Sequence, residues 1–174
     1  SWKYKDFIID TGPHIFHTSD KKIWDYINKF GDFTPYTNRV KALTENGMFS
    51  LPINLLTINQ LFNEKLNPSE AKKFIEEKSK KNIREIKSFE DQALSMLGET
   101  IYKTFFYGYT KKQWGKDPRD LPASILKRLP VRFNYDDNYY NSHYQGVPTK
   151  GYTKIIEKML QHENISVFLN RVFE

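Results

Sequence analysis

Apolar positions near the start of the chain form a short run and then follow a helical spacing. Phe7 to Ile9 is an apolar run that the turn-forming stretch Asp10-Thr11-Gly12-Pro13 interrupts, a pattern typical of a short strand. Residues 20–30 carry apolar side chains on one helical face, with Ser19 as the expected N-cap and Gly31 as the stop. The N-terminal part is therefore predicted to be a strand followed by an amphipathic helix.

The next segment has the pattern of a β-hairpin. Residues 39–43 alternate between polar and apolar side chains, and Asn46-Gly47 is a strong signal for a two-residue turn. Met48 to Ile53 is the expected return strand. Because Pro52 has no N–H to donate to a ladder, this strand is predicted to lie at an edge or to end there.

From Asn54 to Leu129 the spacing becomes helical. A short apolar helix is predicted to begin at Thr57, and Asn67-Pro68-Ser69-Glu70 carries the capping residues of a second helix. Ser88 and Asp91 open the longest helix, whose apolar side chains recur every four residues. These are Ala93, Leu97, Ile101 and Phe105.

The last third of the chain predicts further short elements. Ala123 to Leu129 is expected to form a short helix, Val131 to Tyr144 a strand with aromatics on one face, Gly151 to His162 an amphipathic helix, and Ile165 to Phe173 a final strand. The predicted fold class is α+β, with a central helical bundle and antiparallel sheet pieces from the two ends of the chain.

Domain organisation follows from the same pattern. Residues 1–53 and 130–174 are predicted to form a sheet-containing part, and residues 54–129 a helical domain. The chain begins with Ser1 rather than Met and ends on an expected strand. We therefore expect it to be a piece of a longer protein.

Composition narrows the class of protein. The 174 residues include 27 Lys or Arg and 21 Asp or Glu, which gives a formal charge of +6, and 16% are aromatic. So many aromatic residues argue against disorder, and the absence of a long apolar run predicts no membrane insertion. Without cysteine there is no disulfide and no thiolate site. A reducing compartment is compatible with that absence but does not follow from it, and we expect a cytoplasmic protein. The positive balance fits either ordinary surface charge or an anionic partner.

Common catalytic motifs are absent from the sequence. No two of the eight glycines are separated by one residue, so the dinucleotide-binding fingerprint is missing, and so is a P-loop. His14 and His17 are three apart but lack an accompanying carboxylate motif, so no metal site is predicted. The absence of these motifs argues against a self-contained enzyme.

The strongest chemical signal is a cluster of aromatic and basic residues. It comprises the segments 105–110, 111–115, 127–128 and 133–140. Aromatic faces can stack on a nucleobase, worth about 1–3 kcal/mol per base, and guanidinium and hydroxyl groups can bind a diphosphate. The cluster therefore fits a nucleotide diphosphate site.

Three other interpretations remain open for the same residues. The aromatics fit a hydrophobic core, since Phe105 continues the apolar helix stripe and Trp114 can cover it. They also fit a single-stranded nucleic-acid binding module, although glutamates are interleaved with the lysines between Lys65 and Glu85. The third interpretation is a helical interaction module without a ligand.

Four long segments closely resemble UDP-galactopyranose mutases of the bacterial type and together cover most of the chain. They are GYTKKQWGKDPRDLPASILKRLPVRFNYDDNYYNSHYQGVPTKGYTKII, GPHIFHTSDKKIWDYINKF, YTNRVKA and SLPINLLTINQLF. The resemblance implies a flavoprotein isomerase of galactofuranose and cell-surface polysaccharide biosynthesis, with UDP-galactose as substrate and no nucleic acid as partner. Reduced FAD would attack the anomeric carbon through N5 and displace UDP, and a homodimer is expected.

The resemblance also implies what a piece of such an enzyme would lack. The family's N-terminal FAD-binding motif has no counterpart here, and its later phosphate-binding residues are expected beyond the chain. We therefore expect an internal fragment that by itself neither binds FAD tightly nor catalyses.

The resemblance assigns roles to individual residues. Arg128 would be the catalytic residue, on a mobile loop that closes over the diphosphate, and Tyr139 would reach the phosphates. His14 and His17 would lie beside the flavin ring, with a buried structural role as the alternative. The substrate-binding residues implied are Asn38, Phe105, Phe106, Tyr109, Thr110, Trp114, Arg128 and Tyr139.

Overall fold

The computed structural model describes residues 1–12, 14–128 and 131–172, with only the backbone described at positions 127 and 128. The chain forms two compact units, one from residues 1–38 together with the chain from Tyr140 onward, the other from residues 39–139. Within the described ranges, no helix has the length and apolar character needed to cross a bilayer. Helices and small antiparallel sheets make up both units, which confirms the predicted α+β class.

The secondary structure consists of short strands and helices of up to 13 residues. The strands are β1 (Trp2–Tyr4), β2 (Phe7–Ile9), β3 (Phe16–Thr18), β4 (Phe33–Pro35), β5 (Val40–Thr44), β6 (Gly47–Leu51) and β7 (Tyr144–Pro148). The α-helices are α1 (Lys21–Ile27), α2 (Leu55–Phe62), α3 (Pro68–Lys78), α4 (Phe89–Ile101), α5 (Gly108–Trp114) and α6 (Tyr152–Met159). A π-helix spans Tyr102–Tyr107, and 3-10 turns span Pro118–Asp120 and Ala123–Arg128.

The first unit is built on a three-stranded antiparallel sheet with β7 between β3 and β4. Gly146 allows β4 to approach β7, because a Cβ there would lie 2.9 Å from the carbonyl oxygen of Thr34. Trp24 of α1 packs on the sheet, stacking on Tyr144 at 5.5 Å between ring centroids and contacting Phe33 at 5.3 Å. Aromatic contacts therefore hold α1 to the sheet.

Helix α1 differs from its prediction at both ends. Asp20, not Ser19, is the N-cap, because its carboxylate accepts the N–H of the residue two positions on at 2.7 Å. The helix ends at Ile27, where the amide of Asn28 donates to the carbonyl of Trp24 at 2.7 Å. This bond satisfies a last-turn carbonyl before the predicted glycine stop is reached.

The second unit contains the predicted hairpin and most of the helices. Strands β5 and β6 pair from Val40 opposite Leu51 to Thr44 opposite Gly47, which confirms the hairpin. Its two turn residues are Glu45 and Asn46, one position earlier than the predicted Asn46-Gly47. Its Phe49 is buried in the helical core, so the hairpin packs with α2, α3 and α4. That core consists of Phe49, Ile53, Leu55, Ile58, Ala71, Ile75, Leu97, Ile101 and Phe105.

Side-chain caps fix where the helices of this unit begin. Both predicted capping boxes are present, at Asn67 for α3 and at Ser88 for α4. Helix α2 begins earlier than predicted, because Asn54 accepts the N–H of Thr57 at 2.9 Å and so acts as the N-cap. The three helix starts therefore follow from local hydrogen bonding.

The apolar stripe of the longest helix is buried as predicted, but its backbone is not continuous. Gly98 has φ +77° and lies against the carbonyl oxygen of Lys78, which leaves no space for a Cβ. After α4 the chain winds as a π-helix over Tyr102–Tyr107 before α5 begins. The sequence pattern predicted neither feature.

The predicted strand over 131–144 is wrong, and so is the final strand over its described part, residues 165–172. Between residues 131 and 172, the one segment that pairs as a strand is 144–148, which forms β7. Asn134 accepts the N–H of Asp136, and Asp136 accepts the N–H of Asn138, each at 3.0 Å. These local bonds turn the backbone and compete with a sheet ladder.

Tyr102 makes the free energy of unfolding depend on pH in the alkaline range. It is buried, and its hydroxyl donates to a carboxylate oxygen of Glu90 at 2.6 Å. Burial, followed by the bond to Glu90, raises the pKa of Tyr102 well above its ordinary value of 10. Because the folded state resists ionisation, the stabilisation is complete below pH 10 and is lost as pH rises beyond it.

We expect Tyr102→Phe to remove this pH dependence. From pH 10 to 11 the unchanged protein should lose about 1 kcal/mol more stability than the variant, since one proton corresponds to about 1.4 kcal/mol per pH unit. Urea unfolding of both proteins between pH 8 and 11 measures this. Tyr26→Phe, at an exposed position, is the control, and parallel curves for Tyr102→Phe and the unchanged protein would contradict the expectation.

Candidate functional site

The π-helix directs its two predicted site aromatics toward the core. Phe105 is 8% exposed and meets Phe49 edge to face, with ring centroids 5.3 Å apart. Phe106 is partly buried between the two hydrophobic clusters of this unit and lies 6.3 Å from Phe89. Both positions therefore have the packing expected of core residues.

Helix α5 leaves two aromatic side chains open to solvent. Tyr109 is 67% exposed and Trp114 is 52% exposed, whereas Thr110 between them is buried. The helix ends directly after Trp114, because Gly115 adopts φ +63° and its N–H bonds back to the carbonyl of Lys111 at 2.9 Å. Large exposed aromatics on a short basic helix are typical of a ligand or partner surface.

Helical spacing decides which of these side chains lie together. Tyr107, Lys111 and Trp114 fall at i, i+4 and i+7, so they share one side. Lys111 Nζ lies 5.7 Å from the centre of the Tyr107 ring, within range of a cation–π interaction. Tyr109 is five residues from Trp114 and projects about 140° away. This geometry groups Tyr107 with Trp114 and separates Tyr109 from them.

An exposed ion pair follows α5. Arg119 donates from Nε and Nη2 to the two carboxylate oxygens of Asp117, at 2.8 and 3.2 Å. The side-chain hydrogen bond from Arg119 is the main cause that lowers the pKa of Asp117 to about 2. The guanidinium is thus engaged by a carboxylate in this structure.

Tyr139 ends the irregular loop 131–139, which contacts basic residues at the start of the hairpin. Asp137 in this loop forms ion pairs with Arg39 at 3.2 Å and with Lys41 at 3.5 Å. The sequence pattern did not single out these two cations, which are two positions apart where the hairpin begins. Tyr139 itself is exposed and lies two residues after the carboxylate that pairs with these cations.

Arg128 is the last residue of the 3-10 turn Ala123–Arg128, and its side chain lies outside the described residues. Leu126 anchors this turn, since its side chain is fully buried in the second cluster with Phe89 and Leu121. The proposed role of Arg128 stays a prediction.

Comparison with known proteins supports the resemblance seen in the sequence. Residues 104–174 match the family model of UDP-galactopyranose mutase. A dTDP-fucopyranose mutase of Escherichia coli is 53% identical over 92% of this chain, and a probable UDP-galactopyranose mutase of Klebsiella pneumoniae is 56% identical over 93%. The family resemblance to UDP-galactopyranose mutase is confirmed.

The chain spans about 42% of the length of these two mutases. A UDP-galactopyranose mutase of Mycoplasma pneumoniae is 26% identical over 91% of this chain, and the match spans 41% of that protein's length. The names of the two relatives above 50% identity differ in both nucleotide and sugar. Identity over this region therefore does not separate a UDP-galactopyranose mutase from a dTDP-fucopyranose mutase.

The residues that the mutase resemblance assigns to the flavin lie in the first unit. His17 is exposed, forms a hydrogen bond with Ser142 through Nδ1 at 2.9 Å, and stacks on Tyr140 at 3.8 Å between ring centroids. His14 is exposed and contacts the edge of Tyr152 at 6.2 Å. Neither histidine is buried, so the alternative of a buried structural role does not apply.

These histidines fit contacts to a planar cofactor ring, because both are exposed and one is already held flat by stacking. A pyrophosphate-binding loop requires closely spaced glycines before a helix, and the sequence contains no such motif. Asn38, the remaining predicted mutase residue, is half-buried in this unit, three residues after β4. The predicted site residues thus belong partly to the first unit and partly to the second.

Proposed function

We propose that this chain supplies the uridine-diphosphate site of a flavin-dependent mutase that interconverts UDP-galactopyranose and UDP-galactofuranose. The carrying observation is the open side of α5, where Trp114 is exposed on the same side of the helix as Tyr107 and the Lys111 ammonium that lies over its ring. This side lies within the segment that matches the mutase family. The proposal includes a cytoplasmic homodimer, which the resemblance to bacterial mutases supports.

Each residue contributes through its own chemistry. An exposed aromatic ring such as that of Trp114 stacks on the uracil base. The Tyr139 hydroxyl donates a hydrogen bond to a phosphate oxygen, and the Arg128 guanidinium pairs with the diphosphate as negative charge develops on the departing UDP. In the whole enzyme, His14 and His17 would pack beside the ring of bound FAD, and reduced flavin would supply the nucleophilic chemistry at the sugar. The protein thus orients the substrate and stabilises charge.

A dTDP-fucopyranose mutase is the second candidate, and the 53% identity to a protein of that name favours it. The two nucleotides differ at the 2′-hydroxyl of the sugar and at the methyl group of the base. The diphosphate contacts proposed for Arg128 and Tyr139 apply equally to both. Only groups that contact the base and ribose can therefore separate the two substrates.

We expect UDP to bind the protein and Trp114→Ala to weaken that binding about tenfold, because one stacking contact is removed. Isothermal titration with UDP and with dTDP measures both the effect and the nucleotide preference. Trp2→Ala is the matched control, since Trp2 is 53% exposed and lies in the other unit. Salt-dependent binding of oligonucleotides, with no measurable UDP binding, would favour the nucleic-acid module instead.

A further inference from the structure

The loop 131–139 is fastened to the segment that joins β6 to α2. The N–H of Arg132 donates to the carbonyl of Ile53 at 2.9 Å, and the N–H of Leu55 donates to the carbonyl of Asn134 at 2.9 Å. These bonds lie on either side of Asn54, whose side chain is fully buried. The first half of the loop is thus fixed to the core of the second unit.

The second half of the loop is held by a buried guanidinium. Arg132 is 8% exposed, and its Nη1 donates to the Asp136 carbonyl at 3.3 Å, the Asp136 carboxylate at 3.1 Å and the Asn138 carbonyl at 2.5 Å. Burying a cation is unfavourable unless it is paired and hydrogen-bonded. The loop supplies the required acceptors by wrapping around this side chain.

The Asn138 carbonyl belongs to the peptide bond that leads into Tyr139. Fixing that carbonyl orients the peptide plane, which carries the N and Cα atoms from which the Tyr139 side chain starts. The N–H of Asn138 is held as well, by the Asp136 carboxylate at 3.0 Å. Both sides of Asn138 are therefore anchored, through Arg132, immediately before Tyr139.

We infer that Arg132 is a positioning residue for Tyr139, a role that rests on the proposed function of Tyr139 in binding the diphosphate. Arg132 is buried beneath the loop and acts through the backbone rather than by contacting the nucleotide. A lysine would keep the charge, but its ammonium lies one bond closer to the backbone than Nη1, the nitrogen from which the guanidinium reaches all three acceptors. The loop geometry at Tyr139 therefore depends on the guanidinium and not only on a positive charge.

A double-mutant cycle in the full-length mutase that contains this chain tests the inference. Tyr139→Phe is expected to raise KM for the nucleotide sugar about tenfold. Arg132→Met, which keeps the aliphatic length, is expected to raise KM to a similar extent with little change in kcat. Because both changes remove the same hydroxyl contact, the double variant should show about the same tenfold increase rather than a hundredfold one.

The control is Arg119→Met, which removes an exposed guanidinium from the same unit and should leave KM within twofold. If Arg132→Met does not fold, Arg132→Lys enters the same cycle, with a smaller KM increase expected and again no additivity with Tyr139→Phe. A thermal midpoint shift without a KM change would show a purely structural role and overturn the inference.

The outcomes separate this inference from the proposed function. An increase in KM for Tyr139→Phe combined with additive effects in the double variant overturns the positioning role and leaves the proposed diphosphate contact intact. An unchanged KM for Tyr139→Phe overturns both that contact and the inference. UDP titration of Trp114→Ala still tests the base-binding part of the proposed function independently.

Discussion

Replacing Phe105 by alanine is expected to lower the free energy of unfolding by about 3–5 kcal/mol, the usual cost of deleting a buried phenylalanine side chain. The ring is 8% exposed and packs edge to face on Phe49 inside the core shared with Ile101 and Leu97. The cavity left behind would lie between the hairpin and the helices. Urea unfolding, with the midpoint and slope measured together, gives the change.

Tyr109→Ala is the matched control, because this aromatic is four residues further along and is 67% exposed. Its effect on the free energy of unfolding should stay within about 0.5 kcal/mol. Phe105→Leu should recover most of the lost stability, since it refills much of the cavity. An unchanged stability of Phe105→Ala together with weakened UDP binding would instead assign the ring to the ligand.

Arg128→Ala in the full-length mutase is expected to reduce kcat/KM by about 10²–10³-fold, the cost typical of removing one donor that stabilises transition-state charge. The guanidinium is proposed to pair with the diphosphate as UDP departs. Initial rates of nucleotide-sugar interconversion, measured with excess reduced FAD, give the ratio. The free energy of unfolding should change little if the arginine acts on the ligand rather than on the core.

Lys127→Ala is the control for this experiment, because it removes a positive charge from the adjacent position. Its kcat/KM should remain within about threefold, since a lysine offers no planar fork for the diphosphate. Equal losses for the two variants would indicate a general charge effect, and full activity of Arg128→Ala would remove Arg128 from the proposed site.

Local hydrogen bonding made several elements predictable from the sequence. The capping boxes at Asn67 and Ser88 and the hairpin turn between Thr44 and Gly47 each involve residues within four positions of one another. Their geometry is therefore set by neighbours that the sequence displays directly. The apolar stripe from Ala93 to Phe105 was predictable for the same reason, because helical periodicity places its members on one face.

Contacts distant in sequence decided the features that were predicted wrongly or missed. Residues 131–139 alternate like a strand, yet Arg132 and the backbone around Asn54 hold them as a loop. The π-helix at Tyr102–Tyr107 and the break at Gly98 depend on how α4 meets α3 and the second hydrophobic cluster. Hydrophobic periodicity carries no information about such partners.

The candidate site shows the same division. The sequence by itself determined the chemical inventory, namely aromatic rings, lysines and arginines in an order that resembles UDP-galactopyranose mutases, and the local helix and hairpin signals. Only the tertiary structure decided that Phe105 is buried while Tyr109 and Trp114 are exposed, and that Arg39 and Lys41 lie near the Tyr139 loop. The physical reason is that residue type fixes what a side chain can do, whereas burial and charge pairing depend on packing between segments far apart along the chain.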